Sequence, residues 1–285
     1  MSELAYITWD ANPMLIDSFV QIRWYGLMFA LGFWIGTNIV ARMFKRDNAP
    51  ESWLGGLLIY TVLGTLIGAR LGHGFFYEWD WYSAHPEHIL RIWEGGLASH
   101  GGTIGVMLGV FAFSIFQTKR NPLWTFDRLV IPIALVGAMI RFGNLMNSEI
   151  YGHPTTLPWG FIFVRGHEYP GLPCHPTQHY ESACYLALFV LLMWMYWKKN
   201  LQERPWLITG VFFIGIFLPR FLIEYVKNVQ ERWEIDMIAR CGMNMGQPLS
   251  IPFIFIGIGL FIYSMVRPPV EINFPNHFAD EPDKK

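Results

Sequence analysis

Charged residues are scarce in this chain. Asp, Glu, Lys and Arg make up 15% of its 285 residues, while 53% are hydrophobic. A water-soluble domain carries about 25% charged residues, so much of the surface is expected to face a solvent other than water. The net charge of −1 gives no bulk attraction to nucleic acid, and no nucleic-acid partner is expected. Cysteine is sparse too. Only Cys174, Cys184 and Cys241 occur, so at most one disulfide can form, and a pairing of Cys174 with Cys241 stays open. No CxxC and no Cys/His ligand spacing is present, so no metal site of that kind is expected. The opening residues lack a cationic stretch, an apolar core and a small-residue cleavage site. The first apolar span is therefore expected to direct the chain to the membrane. No internal repeat stands out.

Long apolar runs are what the chain has in abundance. A spanning helix needs about 20 mostly apolar residues. Such runs lie at 24–44, 53–76, 97–116, 129–146, 180–197, 206–226 and 248–266. The expected fold is an all-α polytopic membrane protein with seven transmembrane helices. Loop cations set the orientation. Arg42, Lys45 and Arg46, then Lys119, Arg120 and Arg128, then Lys198, Lys199 and Arg204, and finally Arg267, Lys284 and Lys285 occupy one set of connections. The alternate connections are poorer, with Arg23, Arg91 and Arg165 mostly alone, and Arg232 and Arg240 offset by Glu231, Glu234 and Asp236. Basic loops stay in the cytoplasm, which places the N-terminus outside and the C-terminus inside.

The segment 147–179 is long and rich in Gly and Pro, with aromatic and β-branched residues around 159–164. It predicts a small extracytoplasmic head of some strand character between the fourth and fifth spans. Residues 1–267 read as one membrane domain, and 268–285 as a polar, Pro-rich, disordered cytosolic tail. Glycines recur every fourth position at Gly64, Gly68 and Gly72, at Gly101, Gly105 and Gly109, and at Gly32 and Gly36. Such rows let helices approach closely in lipid.

Against this apolar background a few charges are out of place. Arg70, Arg141 and Arg220 lie within the second, fourth and sixth spans, and Glu224 follows Arg220 by one turn. Each arginine costs about 2.5–3.5 kcal/mol at the centre of a membrane helix, so three cost roughly 7–10 before compensation. All three spans run outward. The arginines stand about 17, 12 and 14 residues past the cytosolic ends, at ~1.5 Å per residue, in the outer half of the apolar layer. Tyr25 and His100, at the outer starts of the first and third spans, belong to the same half. Guanidinium matches phosphate oxygens with paired hydrogen bonds, and the phosphate available at that depth is a phospholipid headgroup. The plainer alternative pairs Arg220 with Glu224 and gives Arg70 and Arg141 to backbone carbonyls or to the interface.

Helical spacing puts Arg220, Glu224 and Lys227 on one face, and likewise Arg141, Asn144 and Ser148, with Glu149 adjacent. Arg70 and His73 are three apart. These polar stripes are expected to line a cavity.

The segment Arg141, Gly143, Asn144, Asn147, Glu149, Gly152 resembles the signature of the prolipoprotein diacylglyceryl transferase family. Further matches are Trp24, Tyr25, Gly26 and Leu27; Gly95 and Gly96 with Ser99, His100, Gly101 and Gly102; and His175, Gln178, Tyr180 and Glu181. Arg220 with Glu224, and Met245, Gly246 and Gln247 before Leu249, Ser250, Ile251 and Pro252, complete the series. Ile140 and Leu145 stand where that signature has Gly and Phe, and Lys227 takes a place often held by Arg.

The resemblance implies a bacterial inner-membrane enzyme whose partners are phosphatidylglycerol, membrane lipids and the signal peptides of preprolipoproteins. It would move a diacylglyceryl group to the lipobox cysteine thiol and release glycerol phosphate, without a cofactor. His100 is the candidate base for the thiol. Arg141 and Arg220 are expected to stabilise the leaving phosphate. Glu224 is expected to hold Arg220, and Tyr25 to touch headgroup or thiol. Asn144, Glu149, Gly152, Arg70, Lys227 and Gln247 are candidate substrate-binding residues. Each role has a plainer competitor. His100 sits in a Gly-rich turn, Asn144 and Asn147 suit interhelical hydrogen bonds, and Gln178, His175 and Glu181 lie where helix caps are ordinary.

Two rivals remain. A transporter or channel for an anionic solute would also use buried arginines, but its site usually lies near the midplane between paired halves. An intramembrane serine protease would want a Gly-x-Ser-Gly turn, whereas Ser99 precedes His100.

Overall fold

The computed structural model describes residues 6–18, 21–76, 78–91, 96, 98–199, 201–229 and 232–269. Side chains are described for all of these except Phe76, Leu90, Ser99, His100, Gln202, Arg232 and Trp233. The expected tail lies outside the described residues from position 270 onward. Seven helices are long and apolar enough to cross a membrane: Trp24–Arg46, Ser52–Phe75, Gly101–Thr118, Pro122–Met146, Thr177–Lys198, Leu207–Val226 and Gly246–Val266. Large apolar side chains stand exposed along them, Trp34 at 65% and Phe255 at 69% among them. Only lipid makes such a surface acceptable, so the chain is a multi-pass helical membrane protein. Among the described residues the chain divides into two compact units, residues 6–39 with 127–269 and residues 40–126.

The second unit contains the end of α1 (Trp24–Arg46), α2 (Ser52–Phe76), the short α3 (Trp79–Ala84), α4 (Ser99–Ala112) and the start of α5 (Pro122–Met146). Its centre is a backbone-to-backbone crossing of α2 and α4. A Cβ on Gly105 would collide with the carbonyl of Gly64, and one on Gly101 with the carbonyl of Gly68. The glycine rows are thus the contact itself. Helix α4 widens into a π-helical stretch at Phe113–Thr118, where the Gln117 amide donates to the Ser52 carbonyl at 3.1 Å. Asn121 caps α5, accepting from Leu123 N at 3.0 Å, with Pro122 at the first helical position.

In the first unit α1 and α5 meet at small residues. A Cβ on Gly32 would lie 3.2 Å from Val136, and one on Gly36 would lie 3.2 Å from Pro132. Helices α6 (Thr177–Lys198), α7 (Leu207–Ile223) and α9 (Gly246–Val266) pack beside them. Asp127 caps α7 from a distance, accepting from Trp206 N at 2.8 Å, and from Thr209 N and Oγ1 at 2.9 and 2.7 Å. Stacked Phe217 and Phe253 join α7 to α9.

The segment after α5 does carry strands, but it is not a self-contained insertion. Strand β4 (Phe161–Phe163) pairs antiparallel with β5 (Pro173–Cys174) and parallel with β1 (Ile7–Trp9). The N-terminal residues thus supply a third strand that the sequence reading missed, because three residues are too short for a period-2 signal. Strands β2 (Met14–Asp17) and β3 (Gln21–Arg23) form a separate hairpin leading into α1. Trp9 Nε1 donates to the Leu145 carbonyl at 2.9 Å and ties β1 to the end of α5. Leu145, Tyr151, Phe163 and Cys174 form the small core. The amphipathic α8 (Arg232–Cys241), between α7 and α9, was likewise unforeseen.

All three cysteines are free thiols. Burial, with the Glu168 carboxylate second, pushes the Cys174 thiol up to about 11. At pH 8 only about one Cys174 in a thousand is then thiolate. Brief maleimide treatment of the folded protein at pH 8 should label exposed Cys241 and spare Cys174 until denaturant is added. Equal labelling, read by peptide mass, would contradict that core. At the α2–α4 crossing, Gly105→Ala should lower the melting temperature in detergent by the equivalent of about 1–3 kcal/mol. Gly102→Ala, whose new Cβ meets nothing closer than 3.5 Å, should leave it unchanged.

Candidate active site

The site grows from the end of α5. Arg141 and Asn144 share a face, and the Arg141 guanidinium donates to Asn144 Oδ1 at 3.2 Å. The helix then breaks into a turn with Ser148 at φ 54° and Ile150 at φ 61°. Left-handed backbone at a β-branched residue is strained, and such strain clusters at functional sites. The turn folds the Glu149 carboxylate back, where it accepts from Asn144 Nδ2 at 2.7 Å and Asn147 Nδ2 at 3.1 Å. Arg141, Asn144 and Glu149 are therefore one hydrogen-bonded chain. Tyr25, in the first turn of α1, lies against this helix end. A Cβ on Gly143 would be 3.0 Å from the Tyr25 ring.

Helix α6 contributes the centre. Glu181 is 1% exposed, and its carboxylate meets Arg141 Nε at 2.5 Å and Lys227 Nζ at 3.7 Å. Lys227 is itself buried and reaches Glu224 at 3.5 Å. The result is an alternating row of Arg141, Glu181, Lys227 and Glu224. The sequence reading treated Glu181 as a helix cap and left it out of the site. In the structure, α6 begins after Pro176 with no side-chain cap. Its first residues turn to the α5 turn instead: Thr177 Oγ1 donates to the Ile150 carbonyl at 2.8 Å, and Gln178 Nε2 to the Glu149 carbonyl at 2.6 Å. The missed signal was spacing, because Gln178, Glu181 and Tyr185 share one helical face. Tyr185 completes that face with a hydrogen bond to Arg141.

Gly152 binds the turn to α7. It bridges to Lys227, its N–H donates to the His175 carbonyl at 2.8 Å, and any Cβ there would collide with the Val226 carbonyl. Lys227 follows directly on the sixth span. Burial pushes its ammonium below the ordinary lysine value; Glu181 and Glu224 oppose this, and Arg141 and Arg220 reinforce it. Outside the row, burial lowers His175 below the usual histidine value, with His153 adding to the effect.

The ion pair expected between Arg220 and Glu224 does not form. Helix α7 tightens to a 3-10 turn at Glu224–Val226, which carries Glu224 toward Lys227 and onto Gly246, where a Cβ would lie 2.6 Å from the carboxylate oxygens. Among the described residues, no carboxylate stands within ion-pair distance of half-buried Arg220. Gln247 spends its amide on scaffolding. Its Oε1 accepts from Asn244 N at 3.2 Å, its Nε2 donates to the Phe221 carbonyl at 3.4 Å, and the Asn244 amide donates to the Glu224 carbonyl.

Arg70 belongs to the second unit. Its guanidinium donates to the carbonyls of Ile89 at 3.0 Å, Arg91 at 3.0 Å, Gly96 at 3.3 Å and His88, and it stacks over the Tyr82 ring at 5.0 Å. That is the carbonyl-bound alternative, and it makes Arg70 the post that gathers the carbonyls of residues 88, 89, 91 and 96. His73 contacts Glu78 at 3.4 Å. His100 falls in the first turn of α4, and its side chain lies outside the described residues.

Comparison with known proteins bears on this arrangement. The family described as prolipoprotein diacylglyceryl transferase matches residues 13–263. A Porphyromonas gingivalis protein named phosphatidylglycerol--prolipoprotein diacylglyceryl transferase is 51% identical over 273 residues, which is 93% of this chain and 96% of its own length. Proteins of the same name from Chloroherpeton thalassium and Tolumonas auensis are 40% and 43% identical. They cover 95% and 90% of this chain and 99% and 96% of their own lengths. With the fold, the signature residues and these relatives in agreement over nearly its whole length, the chain belongs to the prolipoprotein diacylglyceryl transferase family.

Proposed function

We propose that the chain transfers the diacylglyceryl group of phosphatidylglycerol to the lipobox cysteine thiol of a preprolipoprotein. The new bond joins sulfur to the terminal glyceryl carbon. The carbon–oxygen bond to phosphate breaks, and glycerol phosphate leaves. Arg220 carries this reading. Among the described residues it is a cation on a spanning helix with no carboxylate within ion-pair distance, beside a row in which Arg141 and Lys227 are already matched by Glu181 and Glu224. A phosphodiester supplies the missing negative charge. As the carbon–oxygen bond breaks, charge grows on the phosphate, and a guanidinium fixed in a poorly hydrated place stabilises it most then.

The remaining roles follow from position. Arg141, held by Glu181 and Asn144, offers its remaining N–H groups to the same phosphate. Glu224 and Gln247 keep Lys227 and the end of α7 in place, and Gly152 admits the chain that carries them. Tyr25 lies beside the Arg141–Asn144 turn, where headgroup or thiol would pass. A free thiol with a pKa of about 8.5 is only a few per cent thiolate at neutral pH. His100 is the proposed base that takes its proton. Loop cations support an outward N-terminus and an inward C-terminus in a bacterial inner membrane, with the head on the outer side.

The test uses the full chain in detergent, phosphatidylglycerol and a lipobox peptide, following peptide mass. Arg220→Ala should lower kcat/KM by about 10²–10³, with partial recovery in Arg220→Lys. Well-folded wild type that transfers nothing would refute the reading. His100→Gln should be nearly inactive, and retained activity would remove it as the base. Glu181→Gln strips the countercharge from Arg141 and Lys227. Breaking a buried pair costs about 3–5 kcal/mol, so both activity and melting temperature should fall.

A further inference from the structure

Besides the ion pairs, the turn after α5 and the first turn of α6, which bonds to it, carry polar atoms without a hydrogen-bond partner among the described residues. Asn147 Oδ1, Ser148 Oγ and Gln178 Oε1 are each buried without a hydrogen-bond partner. Ser148 is 5% exposed and Gln178 is fully buried. Their neighbouring groups are fixed. Asn147 Nδ2 donates to Glu149 Oε1, and Gln178 Nε2 donates to the Glu149 carbonyl, so both amides present their oxygens as the free ends. Leaving such a group unpaired costs about 1–3 kcal/mol. Two on this turn and one on the α6 residue bonded to it call for donors from outside the protein.

The same stretch is bonded through Asn144 to Arg141, the proposed phosphate ligand. A molecule that satisfies both halves carries an anionic phosphate and, a few bonds away, hydroxyl donors. We propose that Asn147, Ser148 and Gln178 read the two hydroxyl groups of the headgroup glycerol and so set the enzyme's preference for this lipid. The proposal rests on the transferase reading and adds headgroup discrimination to it. An ethanolamine headgroup also donates hydrogen bonds, but its ammonium would come beside Arg141, Arg220 and Lys227 and be repelled. A headgroup without donors would leave the three acceptors stranded, and a site built to bond a hydroxyl rejects the analogue lacking it.

The experiment compares two donors in detergent with the lipobox peptide: phosphatidylglycerol, and phosphatidylpropanol, which has the same phosphodiester and no headgroup hydroxyls. The quantity read is the ratio of their kcat/KM values. Wild type should prefer phosphatidylglycerol by roughly 100-fold, about tenfold for each hydroxyl. Ser148→Ala and Gln178→Met should each cut that preference by about tenfold, chiefly through the KM for phosphatidylglycerol. The ratio is internal, so a partly unfolded sample lowers both rates and leaves the ratio of its folded fraction intact. Equal use of both donors by wild type overturns the proposal while leaving the transferase reading standing. A preference unchanged in both variants also overturns it, and gives the three atoms to bound water. Transfer from neither donor by folded wild type instead sinks the transferase reading itself.

Discussion

An arginine at the centre of a membrane helix costs about 2.5–3.5 kcal/mol, and the way each one is compensated decides what it is free to do. Arg70 is surrounded by backbone carbonyls. These dipoles disperse its charge, and the carbonyls of residues 88, 89, 91 and 96 are gathered around that post. Arg141 has a carboxylate, an amide and a tyrosine. It is held in one orientation with its charge largely matched. Arg220 has neither kind of partner among the described residues. Three identical side chains thus take three roles, set by whether a spare acceptor lies nearby in the fold.

Glycine does two different jobs in this chain. Along α2 and α4 it brings helix backbones together, and the contact is dispersion between surfaces that lipid would otherwise solvate. Around the site it makes room for particular atoms. Gly143 admits the Tyr25 ring, Gly152 the Val226 carbonyl, and Gly246 the Glu224 carboxylate. The last of these also puts a carboxylate at the N-terminus of α9, where the unpaired N–H groups favour negative charge. The polar row and the glycines beside it therefore form one device, in which charged groups are positioned by backbone that no Cβ keeps away.

Much of this was legible in the sequence, and the reasons for the gaps are specific. Spans are read from about 20 consecutive residues, so all seven appear in the structure with ends shifted by a few positions. Arg141, Asn144 and Glu149 stood out because polar residues at helical spacing are rare in lipid. Glu181 did not stand out. It sits four residues into α6, where acidic residues ordinarily serve the helix end, and only its tertiary partners Arg141 and Lys227 show its part. The pairing of Glu224 with Lys227 instead of Arg220 turns on a 3-10 turn that no residue pattern announces. Strand β1 pairs with a partner more than 150 positions away, and three residues carry too little periodicity to reveal it.

The buried row is best understood as orientation bought against stability. Replacing a buried ion pair by well-packed apolar groups is often neutral or stabilising by about 1–4 kcal/mol. A bundle selected only to persist in lipid would have little use for Arg141, Glu181, Lys227 and Glu224 in one line. What apolar packing cannot supply is a guanidinium whose direction is fixed before the lipid arrives. Glu181 provides that by taking the Arg141 Nε edge, and Asn144 by accepting from Nη1. Arg141 and Glu181 match each other, Lys227 brings a second cation onto Glu181, and Glu224 supplies the carboxylate that matches it. Each member answers the charge of the one before it, and the row ends with its charges matched. Among the described residues no carboxylate stands within ion-pair distance of Arg220, and on the proposed reading that surplus is what a phosphate answers.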